Sequence, residues 1–425
     1  MTSSGQDHRP PRVRRPGRPS LHALPPLAVA LSALALISCV GAAGRPGGAG
    51  PSGGRSSPAG QPTTPAADGS AAPGSEPAGT SPAALPSLTP AQKAGQRVIY
   101  SYSGLEPPAS LLSWIRQGEV GGVIFFGGNI SSRAQIAGVI KQLDRANASA
   151  SNPLRAVPLL LMTDQEGGVV RRLPGRPVLS EKQIGEAAHP SAAAKAAGTG
   201  AGQNLAGVGM NVNLAPVLDV YRTPGDFDDR FGRSYSTNPK VVSALGADFI
   251  KAQQATGVAA TAKHFPGLGA ASSAQDTDAR PVTLNLGLHA LRTVDEYPYR
   301  AAIAAGVKLV MVSWAVYPAL AKNTPAGLSS AIVNGELRGR LGFRGVTITD
   351  ALEAGALQAF GTTGHRATLA ARAGMDLILC SGQRASQGRQ ARNALATALS
   401  NGTLNASVFG ATLTRIIALR TGLRG

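Results

Sequence analysis

The chain has 425 residues, 43% of them hydrophobic, enough for one large domain or two ordinary ones with a sizeable core. Aromatic residues make up 4%, which argues against a surface that stacks nucleic-acid bases, and the formal charge of +18 is scattered rather than gathered into runs, so no nucleic-acid partner is expected. Residues 1–38 carry five arginines against Asp7 alone, a net +4 that leaves +14 on the remainder, a charge suited to weak attraction to anionic membranes or wall polymers.

In chain order, residues 1–38 read as an export signal. The Arg-rich start runs into ALPPLAVALSALALIS, an apolar stretch short for a stable membrane span. It ends in LISC, Leu36 to Cys39, and small residues before a cysteine predict a lipoprotein signal with Cys39 lipidated as the new N-terminus. The protein is then expected on the outer face of the cell membrane, held by the lipid anchor; an ordinary secretory signal would release it. The other cysteine is Cys380, so a lipidated Cys39 leaves no intrachain disulfide. Residues 39–88 are rich in Gly, Pro, Ser and Ala, a composition that cannot bury a core and predicts a disordered tether. SLTPAQ then opens the folded domain, expected over 89–425, with Thr89 as N-cap and Pro90 at the first helical position.

From there short apolar runs alternate with helical patterns. The runs are RVIYSY (97–102), GGVIFF (121–126), VPLLLMTD (157–164), MNVNLAPVLDV (210–220), GVAATAKHF (257–265), KLVMVSW (308–314), GVTITD (345–350) and DLILC (376–380). Most are continuous, as strands covered on both faces should be. PKVVSALGADFIKAQQATG is typical of the helices between them, with Pro239 early and Gly257 at its close. Eight strands with intervening helices predict an α/β fold of the (β/α)8 barrel type. The alternative, an open doubly wound sheet, lacks a Gly-x-Gly-x-x-Gly fingerprint after the first strand.

A barrel carries its chemistry at the C-terminal ends of its strands. Polar groups stand there in this sequence: Asp164 after the third run, Asp219 near the end of the fourth, Lys263 and His264 in the fifth, Asp350 after the seventh. No cluster of His and Cys has the spacing of a tetrahedral zinc site, so no metal or cofactor is expected. DFDD, Asp226 to Asp229, lacks the spacing of a calcium loop and reads as a solvated acidic turn. Neither a Gly-x-Ser-x-Gly elbow nor a phosphate loop is present. Carboxylates flanked by Arg and Lys suit a carbohydrate: cleaving a glycosidic bond needs one carboxylate to trap the sugar carbon and one acid to protonate the leaving oxygen.

These residues reach a resemblance. KHFPGLG (263–269) is similar to the KHFPGHG signature of the β-N-acetylhexosaminidases of glycoside hydrolase family 3. TDQEGGVVRRL (163–173) resembles their DxEGGRVxR segment, GRSYS (232–236) their DRSF, and GVTITDALEAGA (345–356) the segment with the catalytic aspartate. NLAPVLDV (213–220) and VGGVIFFGGNI (120–130) agree in order and spacing, so the likeness covers 89–425. It implies a (β/α)8 barrel and a retaining mechanism through a glycosyl-aspartate. Asp350 would be the nucleophile. Asp164, Arg172, Arg233, Lys263 and His264 would bind the N-acetylglucosamine unit. The implied enzyme is an exo-acting β-N-acetylglucosaminidase, expected as a monomer, acting on chitin-type or cell-wall oligosaccharides as in peptidoglycan recycling.

One departure bears on mechanism. Family members carry Asp-Ser-His in the loop after the signature, the histidine serving as acid/base. Here the loop reads SAQDTDAR, and Asp276-Thr277-Asp278 stands in its place. Leu268 replaces the signature's second histidine, and Trp314 stands where relatives commonly have another. Three readings remain open: Asp278 protonates the leaving group, its pKa raised by burial and by Asp276 or Asp350; Asp276 does so; or the loop is a solvated turn on a weak hydrolase or a glycan-binding lipoprotein. A β-glucosidase-like specificity within the family is a further alternative.

Overall fold

The computed structural model describes residues 86–423. The expected signal at 1–38, the lipidation of Cys39 and the tether as far as residue 85 lie outside the described residues. Leu88 is buried against Leu154, Val157 and Ile417, so packing begins one residue before the expected boundary. Thr89 caps the first helix, Pro90–Gly95, in a reciprocal box with Gln92.

The eight apolar runs form eight parallel strands: β1 Val98–Tyr100, β2 Gly122–Ile124, β3 Leu160–Thr163, β4 Val212–Asn213, β5 Ala259–Phe265, β6 Leu309–Val312, β7 Val346–Thr349 and β8 Ile378–Leu379. They pair in the order β8-β1-β2-β3-β4-β5-β6-β7. Between β7 and β8 a bridge joins Ile348 to Leu377, and the Leu377 N–H donates to the Thr347 carbonyl at 2.9 Å. Side chains alternate as the pleat requires. On β3, Leu160 and Met162 point into an inner cluster with Ile99, Ile124, Leu309 and Ile348, while Leu161 joins the layer between strands and helices. This apolar filling makes the barrel a core rather than a pore.

The helices cover the outside. Pro239–Gln254 shows why: Asn238 caps it, Pro239 opens it, and Gly257 follows its end with φ +85°. Val242, Leu245, Phe249, Ile250 and Gln253 form its buried stripe. Truncating the fully buried Phe249 to alanine would cost about 3–5 kcal/mol.

The C-terminal helix, Ala406–Gly422, closes the N-terminal end of the barrel. Its Ile416 enters the inner cluster. Its buried Arg420 donates to the Pro158 carbonyl at 2.7 Å, the Val157 carbonyl at 3.3 Å and the Gln96 side chain, all just before β3 and β1. Arg415 pairs with Asp376 at 2.7 Å, just before β8. With that end sealed, the opposite end carries the cavity.

Candidate active site

A cavity of about 760 Å³ opens at the C-terminal ends of the strands. Ile124, Leu214, Met311 and Leu379, the top of the inner cluster, form its floor. The eight residues given catalytic or sugar-binding roles from the sequence line it, Asp164, Arg172, Arg233, Lys263, His264, Asp276, Asp278 and Asp350, while Asp219 does not.

The wall after β3, β4 and β5 holds the cations. Past Asp164 the chain turns into a short hairpin, Gln165–Gly167 against Val170–Arg171. Gly167 is needed there: its φ is +117°, and a β-carbon would lie 2.1 Å from the Leu179 carbonyl oxygen. The hairpin buries Glu166, which accepts both arms of Arg233 at 2.8 and 2.9 Å and the Lys263 ammonium at 2.7 Å. Lys263 also reaches Asp164 at 2.9 Å, and Arg233 reaches Asp228 at 2.9 Å. Burial alone would raise the Glu166 pKa, but Arg233 and Lys263 outweigh it and hold the group well below the usual carboxylate range. Burial would likewise lower Lys263; Asp164 and Glu166 more than offset that, so its pKa is raised. The Arg172 side chain lines the same wall, with its backbone N–H on the Asp164 carbonyl at 3.3 Å.

Beside this network His264 Nδ1 meets Asp219 Oδ2 at 2.7 Å. Asp219 also accepts the Leu268 N–H at 2.6 Å, which ties the loop after β5 to the end of β4. Burial disfavours the imidazolium, yet Asp219 raises the His264 pKa on balance.

The acidic turn at Asp226 to Asp229 differs from its sequence reading. It is not solvated: Asp228 and Asp229 are 1% and 4% exposed. Asp228 serves Arg233, Asp229 accepts Lys182 at 2.6 Å, and Asp226 caps the Arg222 and Thr223 N–H groups. Burial pushes the Asp228 carboxyl up to about 6, despite Arg233. Ligand-type atoms of Asp219, Asp228 and His264 converge within 4.8 Å, a trio invisible in sequence. Asp219 and His264 already bond one another and Asp228 is taken by Arg233, so each of the three has a protein partner.

The opposite wall is acidic. Asp350 follows β7 and its carboxylate accepts the Ala351 N–H at 2.7 Å; the buried Trp314 Nε1–H donates to the Ala351 carbonyl at 2.8 Å, fixing this turn. The loop after β5 folds across to meet it. Asp276 caps the Asp278 N–H at 2.9 Å, Thr277 is buried, and two backbone bonds dock the loop on the turn beyond Asp350: Gly355 N–H to the Asp278 carbonyl at 2.7 Å, Ala356 N–H to the Thr277 carbonyl at 3.0 Å. Asp278 stands at the open mouth. Desolvation by the wall, then the charges of Asp350 and Asp276, push its carboxyl from 3.8 up to about 7.

Sequence reasoning did not single out Glu166 or Glu353. Glu166 stands two positions from Asp164 in the family-like TDQEGG segment, a signal that could have found it. Glu353 lines the cavity, held by the Ser381 hydroxyl at 2.6 Å and the Gln387 amide at 2.9 Å; only the fold brings those groups from β8 to the turn after β7.

A closed eight-stranded parallel barrel with its polar groups at the strand C-termini is the architecture of a barrel enzyme. Residues 92–419 match the profile described as the glycosyl hydrolase family 3 N terminal domain, and the chain belongs to this family of glycoside hydrolases. It is 47% identical over 333 residues, 78% of this chain and 94% of the relative, to an uncharacterized secreted glycosyl hydrolase of Arthroderma benhamiae. It is 33% identical over 289 residues, 66% of this chain and 82% of the relative, to a beta-hexosaminidase of Xanthomonas oryzae pv. oryzae. Its fold is similar to that of a glycoside hydrolase family 3 beta-N-acetylglucosaminidase from Paenibacillus sp. str. FPU-7, with a TM-score of 0.74, 36% identity and coverage of 79% of this chain. This chain spans 63% of that one.

Proposed function

We propose that the protein is an exported, retaining, exo-acting β-N-acetylglucosaminidase that releases N-acetylglucosamine from chitin-type or cell-wall oligosaccharides. The observation that carries this reading is the docking of the Asp278 loop on the turn beyond Asp350, which sets two carboxyl groups, Asp278 and Asp350, in one cavity. Asp350 attacks the anomeric carbon while Asp278 gives its proton to the departing oxygen, and a glycosyl ester forms on Asp350. Asp278, now a carboxylate, takes a proton from water as that water opens the ester. Asp164 accepts from sugar hydroxyls, while Arg172, Arg233, Lys263 and His264 donate to the ring's other oxygens. Export is supported by the secreted relative and by the leader; attachment through a lipid on Cys39 and action as a monomer belong to the same proposal.

The test is covalent trapping. A 2-deoxy-2-fluoro or 5-fluoro sugar should label the intact protein and leave Asp350→Ala unlabelled. Normal labelling of that variant would remove Asp350 from the mechanism. Asp278→Asn should lose kcat/KM on a disaccharide while keeping kcat/KM on a nitrophenyl glycoside, whose leaving group needs no proton. Equal losses on both would take the acid role from Asp278.

A further inference from the structure

The cavity is divided by charge. Its lysine and its Arg233 are already committed to Asp164, Glu166 and Asp228 on the wall after β3 to β5. The facing wall presents Asp276, Asp278, Asp350 and Glu353. Among the described residues, no lysine, arginine or histidine forms a salt bridge with any of these four. Glu353 is held differently from the rest. Three donors from the β8 end grip it: the Ser381 hydroxyl at 2.6 Å, the Ser381 N–H at 3.3 Å and the Gln387 amide at 2.9 Å. All are neutral, so they orient the carboxylate and leave its charge uncompensated. A carboxylate held rigidly on a cavity wall, without a counter-cation, is prepared for a cation from outside.

Where that cation would belong follows from the proposed function, on which this inference rests. The group that protonates the leaving oxygen stands beside the leaving sugar, so Asp278 marks the leaving-group side. Asp276 is bonded to the Asp278 backbone, and Glu353 lies close enough to act on the Asp278 carboxyl. The volume of about 760 Å³ accommodates more than one sugar ring.

We propose that the leaving-group side selects its sugar by charge, with Glu353 as the specificity-determining residue: it favours a sugar bearing a protonated amine over a neutral one, and a neutral one over a sugar bearing a carboxylate. An ammonium supplies three donors to a carboxylate that accepts only. The preferred natural class would be partly de-N-acetylated chitin-type oligosaccharides, with acidic wall sugars as poorer substrates.

The experiment compares kcat/KM of the full chain on three disaccharides, N-acetylglucosamine β-linked to glucosamine, to glucose and to glucuronic acid, at about pH 6, where the amine is protonated. A nitrophenyl N-acetylglucosaminide is run beside them. The expected order is glucosamine over glucose over glucuronic acid, by about fivefold per step at low ionic strength, the scale of one partly exposed ion pair. High salt should compress both steps. Glu353→Gln should compress the glucosamine-to-glucose step, the ratio within one variant cancelling any change in Asp278. Equal rates, or an order that neither salt nor Glu353→Gln compresses, would overturn the inference; should the variant fail to fold, the salt dependence of the intact chain decides. If the nitrophenyl glycoside is not cleaved, the functional reading itself fails and takes the inference with it. If it is cleaved while the three disaccharides are equal, only the charge selection is wrong.

Discussion

Replacing Gly355 with alanine should disable the catalytic acid without touching any group that meets the substrate. Gly355 lies in the turn after β7, and a β-carbon there would stand 2.3 Å from the Ala279 carbonyl oxygen and 2.4 Å from its carbon. Those are backbone atoms of the loop that carries Asp278, so no side chain can swing away to make room. Either the overpacked contact persists, at about 1–3 kcal/mol, or the loop lifts. Lifting gives up the bonds from Gly355 to the Asp278 carbonyl and from Ala356 to the Thr277 carbonyl, about 1 kcal/mol each. The two routes cost about the same, so a large part of the population should have the loop displaced. General acid catalysis contributes roughly 10²–10⁴-fold, and its loss shows only where the leaving group needs a proton. The assay is kcat/KM for a series of N-acetylglucosaminides from nitrophenol to a second sugar. Gly355→Ala should lose about twofold or more on the disaccharide, in proportion to the displaced population, and keep the rate of the intact protein on the nitrophenyl glycoside. An equal loss across the series, or none, would refute the idea that this contact seats the acid.

The raised Asp278 pKa fixes the sign of two pH effects. Activity on disaccharides should hold below about 7 and fall above it as the acid is lost, and a limb unchanged in Asp278→Asn would assign it elsewhere. Because the folded state keeps this proton longer than the unfolded chain, the same group lowers folding stability as pH rises from about 4 to about 7, checked by urea titrations across that range. Glu166→Gln leaves Lys263 and Arg233 buried with half their compensation and should cost about 3–5 kcal/mol in urea unfolding; its stabilising charge, held at depressed pKa, is present at neutral pH and is lost as pH falls below the ordinary carboxylate value. Arg420→Met, at the sealed end of the barrel, should lower stability by about 1–3 kcal/mol and leave kcat/KM of the folded protein unchanged; a selective loss of activity would contradict the division between the two ends.

The sequence exposed what depends on local pattern. Each apolar run contains one strand, because a strand covered on both faces must be apolar at consecutive positions, whatever its partners. Strand ends were legible for the same reason: Asp164, Lys263, His264 and Asp350 interrupt or close apolar runs, and a barrel brings such interruptions to one mouth. What stayed hidden depends on partners far apart in the chain. DFDD looks like a solvated turn because four acidic or aromatic positions in a polar loop carry no record of Arg233 and Lys182 folding over them. Glu166 lies 67 residues before the arginine that it holds. Its neighbours Gln165 and Gly167 announce a turn, not a buried carboxylate. The seat of Asp278 is less visible still, since it consists of backbone bonds and of a missing β-carbon at Gly355.

The charge division of the cavity also bears on how one aspartate can serve as acid and then as base. Under the proposed roles Asp278 must hold a proton while Asp350, in the same cavity, must not. Burial alone does not tell one carboxylate from another, since desolvation disfavours the charged form of any of them. Asp350 itself is the second contribution to the raised Asp278 pKa, after desolvation. When Asp350 becomes a neutral glycosyl ester, that contribution disappears, and Asp278 becomes a stronger acid at the step where it should be ionised. Once the ester is opened, the returning Asp350 charge favours the protonated form of Asp278 again. The pairing of Lys263 and Arg233 with Glu166 on the opposite wall commits those two fixed charges away from Asp278. Trapping the glycosyl ester and following its breakdown against pH should therefore give a lower apparent pKa than formation of the ester does. The same pKa for both steps would mean that Asp350 does not set the acidity of Asp278.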